Sequence, residues 1–142
     1  GITELRVGES ILLGTEAINR EPISGCYQDA FSFWAEVIEV QVKPSKPFGS
    51  IGQDAFGNVP QFEDRGIRKR AILAAGRQDI DPEGLLPCKA GLQILGASSD
   101  HLICDVQDVK EPVHVGQVFS FNVNYSTLLK ASTSSYVTKR VL

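Results

Sequence analysis

The chain has 142 residues, enough for one domain with a sizeable buried core. Hydrophobic residues make up 42% and charged residues 22%, the balance of an ordinary globular chain. A net charge of -3 gives no electrostatic reason to expect nucleic acid or an anionic membrane as partner.

The elements can be read in order. Ile11-Leu12-Leu13, between Gly8 and Gly14, reads as a short helix or an irregular connection. Residues 31–43 form the longest strand candidate: Phe31, Phe33, Ala35 and Val37 share one parity, then Ile38, Val40 and Val42 take the other. A period-2 pattern that changes parity requires one extra residue, so a β-bulge is expected near Val37-Ile38. A helix through Trp34, Val37 and Ile38 competes, but the β-branched content favours strand. Residues 44–66 hold three prolines and four glycines without periodicity, and read as a long loop, either docked on something or mobile at the surface. Residues 67–76 open with Arg68-Lys69-Arg70, expected at a solvated or ion-paired strand end. They close with Ala71-Ile72-Leu73-Ala74-Ala75, expected to be buried on both faces.

Residues 92–106 consist of two apolar runs separated by Gly96-Ala97-Ser98-Ser99-Asp100. They read as two buried strands, with Gly96 at a kink or bulge and Ser98, Ser99 and Asp100 presented at the bend. A rigidly supported bend suits a binding site; the plainer reading is a turn in which Asp100 bonds nearby amides. Further on, Phe119, Phe121, Val123 and Tyr125 alternate with polar residues as one strand, residues 126–131 suggest a helical turn, and residues 136–142 read as a terminal strand. The expected fold is all-β, a closed or nearly closed antiparallel Greek-key-like barrel with one or two short helical turns.

Cys26, Cys88 and Cys104 are odd in number and scattered, which fits buried thiols in a reducing compartment better than disulfides or a metal site. No apolar run approaches the ~18 residues of a membrane span and no signal-peptide pattern opens the chain, so a cytoplasmic protein is expected. The absence of any Met leads us to expect a fragment that begins after a cleavage or a chosen boundary.

Several stretches resemble known families. Gly96-Ala97-Ser98-Ser99-Asp100 resembles the Gly-x-x-Cys-Asp/Glu element of ornithine and diaminopimelate decarboxylases, with Ser99 in the Cys place. Residues 99–106 also resemble the Met-Asp element of alanine racemase, with Ser99 in the Met place. Gly76-Arg77-Gln78-Asp79 falls on that enzyme's Gly-Tyr-x-Asp-Gly motif, and residues 6–14 resemble the passage leaving its barrel domain. Lys43-Pro44-Ser45-Lys46-Pro47, residues 49–57 and residues 62–66 resemble the ornithine racemase subgroup. Together these place the whole chain with the C-terminal β-domain of fold-type III pyridoxal-phosphate enzymes, in the alanine/ornithine racemase group.

That resemblance implies an N-terminal (β/α)₈ domain of about 250 residues that carries the cofactor lysine. This domain lies outside the chain, whose residues 1–142 form a single β-domain. The seven lysines here are all read as surface residues, so the isolated chain is expected to be silent, without a cofactor-binding residue of its own. The resemblance further implies a homodimer in which the β-domain of one subunit faces its partner's active site and amino-acid substrate. Arg77 stands where alanine racemase has its second base; a guanidinium with a pKa above about 12 is a poor base, so Arg77 is assigned to a carboxylate or phosphate contact. Tyr136, Ser99 and His101 become the candidates for the second acid/base, and Arg77, Asp79, Ser99 and Asp100 the candidates for substrate binding. Asp100 matches the decarboxylase carboxylate that holds a distal ammonium, which implies a diamino acid such as ornithine or lysine as substrate, with alanine also open. Ser126-Thr127-Leu128 replaces the decarboxylase Gly-Ala-Tyr, so that phosphate contact is missing. A decarboxylase of the same fold and a non-enzymatic β-barrel binding module remain the alternative expectations.

Overall fold

The strand expected at residues 31–43 is present as β1 (Ser32–Pro44), and the rest of the chain is arranged around it. A computed structural model describes all residues except 5, 54–56, 58, 60, 62 and 142. Around β1 lie α1 (Glu9–Leu13), β2 (Ile67–Leu73), a 3-10 turn (Pro82–Gly84), β3 (Leu85–Pro87), β4 (Gln93–Ala97), β5 (Leu102–Asp105), β6 (Val118–Val123) and α2 (Tyr125–Thr133).

On β1, Phe33, Ala35 and Val37 point into the core while Trp34, Glu36 and Ile38 face out. The pairing with β2 then slips: Val37 lies opposite Leu73, but Glu39 lies opposite Ile72. Ile38 is therefore the extra residue of a bulge, and Val40 takes over the interior side, packed against the core. This extra residue lets one long strand serve two halves of a curved sheet, pairing with β6 over its first half and β2 over its second.

All pairs are antiparallel, in the order β3-β6-β1-β2-β5-β4. The run β6-β1-β2-β5 has the returning strand beside the first, the Greek-key arrangement. The sheet curls into a nearly closed barrel around Phe33, Val37, Leu73, Ile80, Leu102 and Phe121. Burying each such side chain contributes about 1.5–3 kcal/mol. β3 and β4 stand at the two ends of the strand order, and a hollow of about 300 Å³, lined by Pro82, Glu83, Leu85, Pro87, Ile94, Leu95 and Gly96, marks the seam between them.

Some expectations need correction. The second half of β2 is buried on one face only: Ala71 and Leu73 are buried, Ile72 is half-buried and Ala74 beyond it is exposed. Tyr125 does not extend β6. The Asn124 carboxamide accepts the Thr127 N–H at 2.9 Å and starts α2, which runs nine residues where a single turn was expected. Residues 136–141 form no strand; they follow α2 unpaired with any sheet edge, Val137 touching the core and Tyr136 79% exposed. Of the three thiols, Cys104 alone is buried; Cys26 and Cys88 are exposed, and all three are free. The resemblance at residues 49–57 and 62–66 falls partly outside the described residues. Among the described residues no helix is long and apolar enough to cross a membrane.

Candidate functional site

Residues 76–80 and 96–101, separated in sequence, fold against each other. The Arg77 N–H donates to the Ser98 carbonyl and the Gln78 N–H to the Ser99 carbonyl, each at 2.8 Å. Gly76 is buried beneath this contact, and a Cβ there would overlap the amide nitrogen of Asp100 and the carbonyl carbon of Ser99. Only glycine admits so close an approach. Beyond it the chain turns tightly, Asp79 and Ile80 both donating to the Gly76 carbonyl, with the fully buried Ile80 anchoring the turn in the core.

The opposing piece is the β4–β5 hairpin. Its β4 strand carries a register shift between Ile94 and Gly96, the irregularity expected there. Gly96 lies outside the left-handed region and has open space where a Cβ would sit, so the bulge does not depend on a glycine. At the tip the Ser98 N–H donates to the His101 carbonyl at 2.9 Å, and the His101 N–H returns to Ser98 Oγ at 3.1 Å.

Asp100 sits on this tip, its side chain 54% exposed. Its Oδ1 accepts from Ser99 Oγ at 2.9 Å and Ser98 Oγ at 3.3 Å, and lies 3.2 Å from His101 Nδ1. The Ser99 hydroxyl, foremost, holds the carboxyl below the usual aspartate range, with the neighbouring His101 and Ser98 adding to it. At neutral pH the tip therefore presents a fixed, solvent-facing carboxylate. It suits the capture of a cation and not the donation of a proton.

The other candidates are distributed as follows. Arg77 bonds Glu83 through both terminal nitrogens, at 2.9 and 3.3 Å, and reaches the Ala97 carbonyl through Nε at 3.3 Å. It thus spans the barrel seam, from the end of β4 to the 3-10 turn before β3, and the carboxylate it meets is one within the chain. Asp79 is 5% exposed and accepts from Ser134 Oγ at 2.7 Å, which ties the end of α2 to the 76–80 turn. Ser134 also receives the Tyr136 N–H at 3.2 Å, so Tyr136 lies beyond Asp79 from the hairpin tip. Ser99 and His101 are at the tip itself, both engaged with Asp100.

Glu83 and Ser98 belong to this constellation; sequence reasoning gave Glu83 no role and placed Ser98 only as one of the residues presented at the bend. Glu83 stands on the 3-10 turn, and its pairing with Arg77 depends on barrel closure. Ser98 stood in the quoted motif; that its hydroxyl would turn onto Asp100 follows from the hairpin geometry.

A pyridoxal cofactor needs an enclosed lysine and a phosphate cradle. Lys43, Lys69 and Lys89 are half-buried and the other four lysines are exposed. Lys69 reaches the Val113 carbonyl at 3.3 Å, Lys89 pairs with Glu111 at 2.7 Å, and no lysine lines the seam hollow. The described residues do not fit the group by themselves.

No family model matches the chain. Among curated proteins, it is 53% identical over all 142 residues to an ornithine racemase from Acetoanaerobium sticklandii, covering 40% of that protein. It is 52% identical over 139 residues to a lysine racemase from Thermotoga maritima, covering 98% of the chain and 39% of that protein. The chain spans about two fifths of the length of these relatives. Comparison with the structure of alanine racemase from Acinetobacter baumannii gives a TM-score of 0.48 at 16% identity, over 87% of this chain and 35% of that one, a match too loose to add to the fold described above. Both curated relatives are racemases, which does not favour the decarboxylase or the binding-module expectation. The resemblance of the whole chain to the alanine/ornithine racemase group is borne out: the chain is a domain-sized counterpart of part of the ornithine and lysine racemases.

Proposed function

We propose that this chain is the C-terminal β-domain of a cytoplasmic, pyridoxal-phosphate-dependent racemase of ornithine or lysine. The domain of one subunit would complete the active site of its partner in a homodimer. The observation that carries this reading is an identity of just over half along nearly the whole chain with two racemases whose named substrates are both diamino acids. Asp100, an ionised carboxylate on a rigid hairpin tip, is the residue suited to the distal ammonium of such a substrate.

Racemisation takes the Cα proton from one face of the substrate and returns one on the other. The cofactor, bound outside this chain, supplies the electron sink. Arg77, already bonded to Glu83 and Ala97, serves to fix the hairpin against the 3-10 turn, and Asp79 fixes the end of α2. Tyr136, His101 and Ser99 are the candidates for the second proton-moving group that the resemblance offers. Tyr136 is 79% exposed.

The test is steady-state kinetics of the full-length protein bearing Asp100→Asn. The expected outcome is a Michaelis constant for ornithine or lysine raised at least about tenfold, as for loss of a charge-assisted contact, with alanine turnover nearly unchanged. Equal effects on the diamino acids and on alanine would remove Asp100 from substrate selection.

A further inference from the structure

Asp100 is bonded unevenly. Ser98 Oγ, Ser99 Oγ and His101 Nδ1 all converge on Oδ1. Each of these donors belongs to the same hairpin tip, and the tip is itself locked by the mutual bonds of Ser98 and His101 and by the close approach of Gly76. An aspartate that is half exposed would otherwise exchange among rotamers, and a cation binding to it would bear the cost of ordering it. Here the side chain is pinned through one oxygen: among the described residues the side-chain contacts all fall on Oδ1 and none on Oδ2, and the side chain as a whole is 54% exposed. We propose that Ser99 is a positioning residue: its hydroxyl holds Asp100 by Oδ1 so that Oδ2 is presented, pre-ordered, to the substrate's distal ammonium.

Two features single out Ser99 among the three groups. Its hydrogen bond is the shorter of the two hydroxyl bonds, 2.9 Å against 3.3 Å for Ser98, and His101 Nδ1 makes only a charge contact at 3.2 Å. It is also adjacent in sequence to Asp100, so the hydroxyl and the carboxylate are fixed by a single stretch of backbone whose carbonyl accepts the Gln78 N–H. With its proton given to Asp100, the Ser99 hydroxyl is engaged as a donor and is not poised to protonate a substrate carbon. The inference rests on the diamino-acid reading of Asp100 and removes Ser99 from the acid/base candidates.

The experiment uses the full-length protein with Ser99→Ala, Ser99→Thr and Asp100→Asn, with ornithine as substrate and norvaline, which has the same carbon chain without the distal ammonium, as competing ligand. Ser99→Ala should raise the Michaelis constant for ornithine about fivefold, the scale of one hydrogen bond to a charged group, with kcat and norvaline inhibition nearly unchanged. Ser99→Thr, which keeps the hydroxyl, should restore most of the loss. A fall in kcat at constant Michaelis constant would overturn the inference in favour of a catalytic hydroxyl. Equal weakening of ornithine and norvaline, or no rescue by Thr, would overturn it in favour of general support of the hairpin. If Asp100→Asn itself fails to separate ornithine from norvaline, the substrate reading falls first; if it separates them and Ser99→Ala does not, the positioning role alone falls.

Discussion

Arg68 and Asp105 show what the charged residues on β2 are for. Arg68 Nε meets Asp105 Oδ2 at 2.8 Å, its Nη2 meets Oδ1 at 3.1 Å, and the same nitrogen reaches Asp108 at 2.7 Å. The Asp105 side chain is 4% exposed and that of Arg68 13% exposed, so water screens the pair poorly. Burial alone would raise the Asp105 pKa, but the Arg68 contacts and the Gln107 N–H outweigh it and the net shift is downward. A lowered carboxyl pKa makes the pair's contribution complete above the unfolded value of about 4 and progressively lost as pH falls through the folded one. Asp105→Ala should therefore cost about 3 kcal/mol at neutral pH, because it leaves a largely buried guanidinium with one exposed partner. In urea titrations the gap between the parent and the variant should close as pH falls below about 4, and a gap independent of pH would show that the loss is one of packing. Of the basic trio, expected at a solvated or ion-paired strand end, Arg68 alone is ion-paired; Lys69 reaches the Val113 carbonyl and Arg70 the Ser45 carbonyl. These partners were not legible, since Arg68 and Asp105 are 37 positions apart and the β2–β5 pairing brings them together.

At the scale of elements, β1 was readable because hydrophobic parity is a local signal: the change at Val37-Ile38 can mean only an extra residue once the strand is half-buried. The β4–β5 hairpin was readable from two short apolar runs divided by a small and polar stretch, but only β5 is buried; β4, at a sheet end, exposes Gln93 and Leu95. The end of the chain was not, because Tyr136 and Val137 have strand-like composition but strandhood depends on a neighbour that composition does not reveal. The length of α2 was also hidden. It is set by its docking: Asn124 caps it, Thr127 Oγ1 donates to the Asp81 carbonyl at 2.6 Å, and Ser126 Oγ donates to the Asp81 carboxylate at 2.7 Å. The Ser126 hydroxyl, foremost, lowers the Asp81 pKa, so this contact is strongest with the carboxylate ionised. Asn124→Ala removes the cap and should lower stability by about 1 kcal/mol, read as a lower denaturation midpoint at unchanged slope. Asn124→Asp keeps an acceptor and should lose less; equal losses would mean that packing against Gly84, not capping, is what Asn124 supplies.

At the scale of the whole molecule, the described residues share one hydrophobic core, in which Phe33, Val37, Leu73, Leu102 and Phe121 pack together within the barrel. The chain's best-formed chemical feature is a carboxylate on a hairpin tip, with no enclosed lysine near it among the described residues. An aldehyde cofactor forms only labile adducts with lysines in contact with water, because an exposed imine is open to hydrolysis and the phosphate has no cradle. The isolated domain, incubated with pyridoxal phosphate and then passed through a desalting column, should accordingly emerge without stoichiometric cofactor and without racemase activity toward ornithine. Full-length protein treated identically should retain the cofactor and racemise ornithine. Retention of one equivalent by the domain alone, traced by borohydride reduction to a single lysine, would overturn the division of labour proposed here and move the cofactor site into the β-barrel. Retention by neither form would remove the cofactor from the proposed function and leave Asp100 as a cation-binding tip of a different enzyme.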